Sequence, residues 1–133
     1  MSKHVYLLTG APGSGKTTII REVISSGGVS AGGFYTEEIR EQGVRQGFRI
    51  VTLDGNDAIL AHVNIKSHYR VGKYGVDLES LERVAVPAIR RAIENHYVVV
   101  VDEIGKMELL SEKFKEAVLS ALDSENNVLG TIM

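Results

Sequence analysis

Apolar residues along this chain follow two rhythms, short unbroken runs and longer stretches at helical spacing. Val5-Tyr6-Leu7-Leu8-Thr9 is a run bounded by glycine and reads as a strand buried on both faces. Ile19, Ile20, Val23 and Ile24 then repeat at helical spacing until Ser25-Ser26-Gly27-Gly28 stops them. Gly33 to Arg40 and Val44 to Leu53 predict two strands joined by a short turn at Glu41-Gln42-Gly43, an antiparallel hairpin, with Ala58 to Ile65 as a third strand beside it. Lys66 to Gly75 has no period and reads as a loop. Leu78, Leu81, Val84, Ala85, Ala88, Ile89, Ala92 and Ile93 form one helical stripe. Pro87 interrupts it, which predicts a kink or two abutting helices with Pro87 in the first turn of the second. Tyr97 to Val101 is the best candidate for a central strand. A further helical face runs through Phe114, Ala117, Val118, Ala121 and Leu122 with Ser111 as its N-cap, and Asn127 to Met133 reads as a final strand.

Strands alternating with helices predict an α/β fold, a mostly parallel sheet covered on both faces, with the hairpin as an antiparallel insert or edge. At 133 residues the chain is one domain, able to bury a core without staples. A formal net charge of −2 offers no global attraction to nucleic acid or an anionic membrane. The absence of cysteine excludes disulfides, thiolate chemistry and Cys-based zinc sites. The four histidines are scattered, without ligand spacing. No apolar stretch is long enough for a signal-peptide core or a membrane span, so the expectation is a cytoplasmic protein.

The first strand and helix enclose Gly10-Ala11-Pro12-Gly13-Ser14-Gly15-Lys16-Thr17, which matches G-x-x-x-x-G-K-[ST] at every position. Glycines there let the backbone curl so that successive N–H groups point at phosphate oxygens, and the following helix adds its unpaired N–H groups. Lys16 is placed to reach the outer phosphates, and the Thr17 hydroxyl to ligate Mg2+. A glycine-rich turn can match by chance; a strand before it and a helix after it are the context that separates the two cases. The partner expected is therefore a nucleoside triphosphate.

A phosphate loop alone licenses binding. Turnover is suggested by Asp102-Glu103, which ends the run of valines at the carboxyl edge of a buried strand, where α/β proteins bind ligands. Asp102 is expected to hold Mg2+ directly or through its water, and Glu103 to orient and polarise the attacking water. The bland alternative is the polar end of a strand; the phosphate loop tips the balance. Gly105 can admit close backbone approach, and Lys106 can neutralise developing charge or simply be solvated. Arg70 and Lys73 in the glycine-containing loop are candidates for a mobile cation. Phe34, Tyr35 and Tyr74 are candidates for stacking on a base, with core packing the stronger expectation for Phe34.

Gly10 to Thr18, Gly33 to Glu38, Gly47-Phe48, Val51 to Leu53, Val71 to Tyr74, Val76 to Leu78 and Asp102 to Leu109 follow one another in an order that resembles a small P-loop nucleoside-triphosphatase family, the one that includes cancer-related nucleoside triphosphatase and its archaeal and bacterial relatives. The resemblance covers the chain from its first strand to its end. It implies a three-layer αβα P-loop fold and Mg2+-dependent hydrolysis of nucleoside 5′-triphosphates to diphosphate and phosphate, with low selectivity among bases. It implies nucleotide contacts from Gly10 through Thr18 and at Asp102, Glu103, Ile104, Gly105, Lys106 and Met107, with Lys16 and Glu103 catalytic and Thr17 and Asp102 on the metal. It further implies a helix and strand beyond Gly130-Thr131-Ile132, so residues 1–133 are expected to be one C-terminally truncated domain; apart from the resemblance, a monomer is expected. Small nucleotide kinases share the fold, which leaves phosphoryl transfer to an acceptor, or a non-catalytic nucleotide switch, as alternatives.

Overall fold

The computed structural model describes residues 3–9, 15–25, 30–96 and 98–132, apart from the side chains at 16, 17 and 23. Its strands are β1 (Val5–Leu8), β2 (Ala31–Glu41), β3 (Val44–Thr52), β4 (Asp57–His62), β5 (Arg70–Val71), β6 (Tyr74–Val76), β7 (Val98–Ile104) and β8 (Asn127–Ile132). Its helices are α1 (Lys16–Ser25), α2 (Leu78–Ser80), α3 (Val86–Asn95) and α4 (Glu112–Asp123). All the strands join one sheet in the order β1-β8-β7-β2-β3-β4-β6-β5.

Short turns join β2 to β3, β3 to β4 and β5 to β6, and those neighbours pair antiparallel, whereas β7 and β8, joined through α4, pair parallel. Three pairings are parallel, β1 with β8, β8 with β7 and β7 with β2. Four are antiparallel, β2–β3, β3–β4, β4–β6 and β6–β5. The expectation of a mostly parallel sheet is thus corrected; of the two alternatives for the antiparallel hairpin, insert or edge, it extends the same sheet toward one edge. The stretch read as a loop, Lys66 to Gly75, contains β5 and the start of β6, a hairpin too short for periodicity to register.

β7 lies between β2 and β8, and Val99, Val100 and Val101 are fully buried, as its run of β-branched residues predicts. β1 differs from expectation. Among the described residues it pairs only with β8, and Val5, Tyr6 and Leu7 are 43%, 58% and 38% exposed, so it is not buried on both faces.

Neighbouring residues of a strand point to opposite faces. On β2, the buried Phe34 meets Phe114 of α4 edge-on at 5.9 Å, while Tyr35 lies under the Arg21 guanidinium of α1 at 4.8 Å. Helices therefore cover both faces. The main core, on the α3–α4 side, joins Phe34, Ile50, Leu60, Val99 and Val101 to Leu81, Ile89 and Phe114. The helical stripe around Pro87 is three pieces: α2, a π-helical turn over Leu81–Ala85, and α3 with Pro87 in its first turn, where a missing N–H costs nothing. Asp77 caps α2 by accepting from the Ser80 N–H at 3.0 Å, and Ser111 caps α4 by accepting from the Phe114 N–H at 3.0 Å. Among the described residues no helix is long and apolar enough to cross a membrane.

Candidate active site

Parallel pairing brings the carboxyl ends of β1, β8 and β7 to one edge of the sheet. The phosphate-loop motif follows β1 and Asp102-Glu103 closes β7, with β8 between them. Gly10, Ala11, Pro12, Gly13 and Ser14 lie outside the described residues. Gly15 is at φ +91°, in the left-handed region where a side chain would strain the backbone. Its carbonyl accepts from the Ile19 N–H at 3.0 Å, so α1 begins directly on the loop with Lys16, Thr17 and the exposed Thr18 in its first turn. The first-turn amides of such a helix are ready to receive an anion.

Across the sheet edge, the β7–β8 register carries one residue more on β7 than on β8 between the pairs Val101–Gly130 and Ile104–Ile132. This bulge falls on Asp102-Glu103, and bulges re-aim side chains out of strict alternation. Sequence reasoning misses this local device, since a bulge has no signature in a run of valines. Asp102 is only 2% exposed. The Thr131 hydroxyl on β8 donates to its Oδ1 at 2.6 Å. Its Oδ2 is buried with no hydrogen-bond partner among the described residues. A buried carboxylate oxygen is costly to leave unmatched, and a cation is one of the few groups that matches it. Among the described residues no three His, Asp or Glu side chains converge on a metal position. A divalent-cation site completed by one carboxylate, a hydroxyl, phosphate oxygens and waters needs no such cluster.

After β7 the chain coils tightly. Leu109 N–H donates to Gly105 C=O at 3.0 Å and Ser111 N–H to Glu108 C=O at 3.1 Å, around a 3-10 turn at Glu108–Leu110. Ile104 and Met107 are half-buried and pack on the main core, whereas Lys106 is exposed. Gly105 is buried, and a Cβ there would stand 3.2 Å from Glu108 Oε1 and 3.3 Å from Glu103 Oε1. The room beside this glycine is thus taken by two carboxyl groups.

Glu108 belongs to the family-like segment, yet sequence reasoning gives it no role. It is 3% exposed, and burial pushes its carboxyl up to about 8, with the negative charges of Glu103 and Asp102 adding to the effect and backbone hydrogen bonds at Glu108 and Gly105 opposing it. The only sequence signal is a glutamate set among Met107, Leu109 and Leu110, where an apolar residue would be ordinary.

The weaker cationic and aromatic candidates are held by other contacts. The Arg70 guanidinium donates to the carbonyls of Ile65 at 3.2 Å and Lys73 at 3.0 Å, closing its own loop, and the Lys73 ammonium sits 5.5 Å from the Tyr74 ring. Tyr74 is buried, packs edge-on to Phe48 at 5.3 Å and accepts from Arg45 Nε at 2.9 Å. Phe34 is core, as expected. Tyr35 is engaged by Arg21, which also pairs with Glu37 at 2.9 Å. An open groove of about 670 Å³ lies elsewhere, lined among others by Tyr69, Leu78, Arg83, Leu110 and Lys113, and contains none of the residues expected to hold nucleotide.

A family model described as NTPase matches residues 5–133. The chain belongs to this NTPase family. It is 53% identical over 126 residues to the nucleoside-triphosphatase THEP1 of Thermotoga sp. (strain RQ2), spanning 95% of this chain and 72% of that protein. The crystal structure of THEP1 from Aquifex aeolicus superposes with a TM-score of 0.88 at 39% identity, covering 96% of this chain and 76% of the other. The solution structure of a human cancer-related nucleoside triphosphatase gives a TM-score of 0.80 at 46% identity, covering 98% and 76%. The α/β P-loop architecture of the NTPase family is therefore also the architecture of this chain.

Proposed function

We propose that this chain hydrolyses nucleoside 5′-triphosphates to the diphosphate and inorganic phosphate with Mg2+, and with low selectivity among bases. The reading is supported by relatives named nucleoside-triphosphatase at about half identity over most of the chain. The observation that carries the chemistry is the buried Asp102, with an unmatched Oδ2 and Glu103 beside it at the carboxyl edge shared with the phosphate loop.

In this reading the amides of Gly10 through Thr18 and the Lys16 ammonium hold the phosphates. Thr17 Oγ and Asp102 would hold Mg2+, which when bound neutralises charge on the β- and γ-phosphate oxygens. Asp102, through Thr131, supplies a fixed carboxylate rather than a mobile one. Glu103 orients one water in line with the γ-phosphorus and accepts its proton as the new P–O bond forms. The bond to the bridging oxygen breaks and the diphosphate leaves. Ile104, Gly105, Lys106 and Met107 shape the wall beside this position, and the exposed Lys106 is the residue there able to reach developing charge. The working unit is taken to be a cytoplasmic monomer without a nucleic-acid partner. Base selectivity is low because loop amides read phosphate and not base.

The deciding experiment is Glu103→Gln. It is expected to bind Mg·ATP as wild type does while kcat for phosphate release falls by about 10²–10⁴-fold, the usual worth of a general base. Hydrolysis at the wild-type rate would remove Glu103 from the role. Phosphoryl transfer to a small acceptor is favoured by one observation, the groove beside Tyr69 and Arg83, which has room for such a molecule. An acceptor that becomes phosphorylated and speeds nucleotide consumption would move the conclusion there.

A further inference from the structure

Hydrolysis leaves one large concavity unused. The open groove beside Tyr69 encloses about 670 Å³, within the range of about 300–1,000 Å³ that small-molecule sites occupy, and neither Asp102 nor Glu103 lines it. One wall is α2 with the π-helical turn over Leu81–Ala85; the other is Leu110 with the first turn of α4. The two walls are tied together, because Ser111, the N-cap of α4, donates to Glu82 of the π turn at 2.7 Å. The fully buried Leu81 and Ala85 seat that turn in the core. A π turn within a helix is rare and falls often at functional sites. This one brings Glu82 and Arg83 to the lining of the groove.

We propose that this groove is a second ligand site, separate from that of the triphosphate, for a small aromatic phosphomonoester of the nucleoside monophosphate class. Tyr69 supplies the aromatic surface. It is 48% exposed, while its backbone is pinned on both sides, the N–H donating to Ser67 Oγ at 3.0 Å and the C=O accepting from the Val76 N–H at 2.8 Å. A ring fixed at its backbone and left exposed is a platform on which any base stacks, and Leu78 and Leu110 extend the apolar surface around it. Arg83 and Lys113, one from each wall, supply positive charge. Both are exposed, and among the described residues neither forms an ion pair; Arg83 makes only a long bond to Ser80 Oγ at 3.5 Å. Arg21, Arg40, Arg45, Arg49 and Arg91, by contrast, each have a carboxylate partner. Three glutamates line the same groove, so the two cations lack a partner for want of geometry and not of carboxylates. A phosphate seated between the walls answers both. The exposed Glu79, also without an ion pair among the described residues, is left to accept from sugar hydroxyls or an exocyclic amino group.

The test titrates AMP calorimetrically into protein whose phosphate loop is filled by saturating Mg·ADP, so it reads binding alone. AMP is expected to bind at one site per chain. Arg83→Ala and Lys113→Ala should each weaken it by about tenfold or more, the usual loss of a charge-assisted contact. Tyr69→Ala should weaken it by about fivefold or more and Tyr69→Phe by less than about twofold, since stacking needs the ring and not its hydroxyl. Ribose 5-phosphate, which lacks a base, should bind at least about fivefold more weakly than AMP. No binding of AMP at millimolar concentration would overturn the proposal, as would binding that Arg83→Ala and Lys113→Ala leave unchanged. Ribose 5-phosphate bound as tightly as AMP would overturn the aromatic ligand. These side chains are exposed, so the variants should melt near wild type; should Tyr69→Ala not, Arg83→Ala and the ribose 5-phosphate arm decide alone. Without AMP, Arg83→Ala should release phosphate from Mg·ATP within about twofold of the wild-type rate, the small effect of a surface substitution, and a larger loss would overturn the separation of the two sites. A chain that binds AMP here yet releases no phosphate from ATP would unseat hydrolysis and leave this site standing.

Discussion

The Thr131 hydroxyl donates to Asp102 Oδ1 at 2.6 Å between adjacent parallel strands, with both residues buried. This contact settles one carboxylate oxygen and leaves the other, Oδ2, without a hydrogen-bond partner among the described residues. Thr131 thereby holds the aspartate that the hydrolytic reading assigns to Mg2+, although it lies in neither the phosphate loop nor the Asp102-Glu103 pair.

Thr131→Val keeps the shape and removes the donor. A second buried oxygen of Asp102 then goes unmatched, so unfolding free energy should fall by about 1–3 kcal/mol. The Mg2+ dependence of phosphate release should also shift, and Thr131→Ser should restore both. Urea melts and a Mg2+ titration of the rate check this.

Gly105→Ala introduces a methyl group 3.2–3.3 Å from two carboxyl oxygens, closer than ordinary contact. Side-chain ends can yield, so the fold should survive with a small drop in melting temperature. Glu103 Oε1 would be displaced, and kcat should fall by about tenfold or more while nucleotide affinity holds. Single-turnover phosphate release beside a binding titration distinguishes the two effects.

Glu108 predicts a pH dependence of stability in metal-free protein. Its folded carboxyl, at about 8, lies above the ordinary 4.5, so the native chain keeps a proton that the unfolded chain has released. Stability from this group is complete below about pH 4.5 and is lost as pH rises through 8. Glu108→Gln cannot titrate. Its melting temperature relative to wild type should therefore climb between about pH 5 and pH 9, and parallel thermal melts in EDTA would show it.

Phe114→Ala should cost about 3–5 kcal/mol, as large truncations in a closed core do. The ring is fully buried against Phe34 and ties α4 to the sheet. Denaturant unfolding measures the loss; a change under about 1 kcal/mol would mean that the core collapses around the gap.

Much of the fold is legible in the sequence because it follows local rules. The valine run of β7, the turn at Gln42-Gly43, Pro87 in the first turn of α3 and the Ser111 cap each obey a constraint within a few residues. What fails depends on distant neighbours. An apolar run such as Val5 to Leu8 does not reveal whether one strand or two will flank it, and β1 has only β8 among the described residues. Strand order likewise decides that the hairpin prolongs the main sheet. At the candidate site, the phosphate-loop motif and Asp102-Glu103 stand out in the sequence because their residue types have few other uses together. The bulge, Thr131 and Glu108 do not. A threonine in a strand and a glutamate in a turn are ordinary until folding buries them beside a carboxylate.

The place of β8 has a consequence for how the protein is made. β8 lies between β1 and β7, and the backbone of His4 donates to the Asn127 side chain across 123 residues of chain. A chain synthesised from its N-terminus carries the phosphate loop almost at once, yet the strand that joins that loop's strand to Asp102 arrives only after β7 is complete. Pairings this far apart in sequence are slow to close. In the hydrolytic reading, the loop and the carboxylate therefore share one sheet edge only once β8 has paired with both β1 and β7.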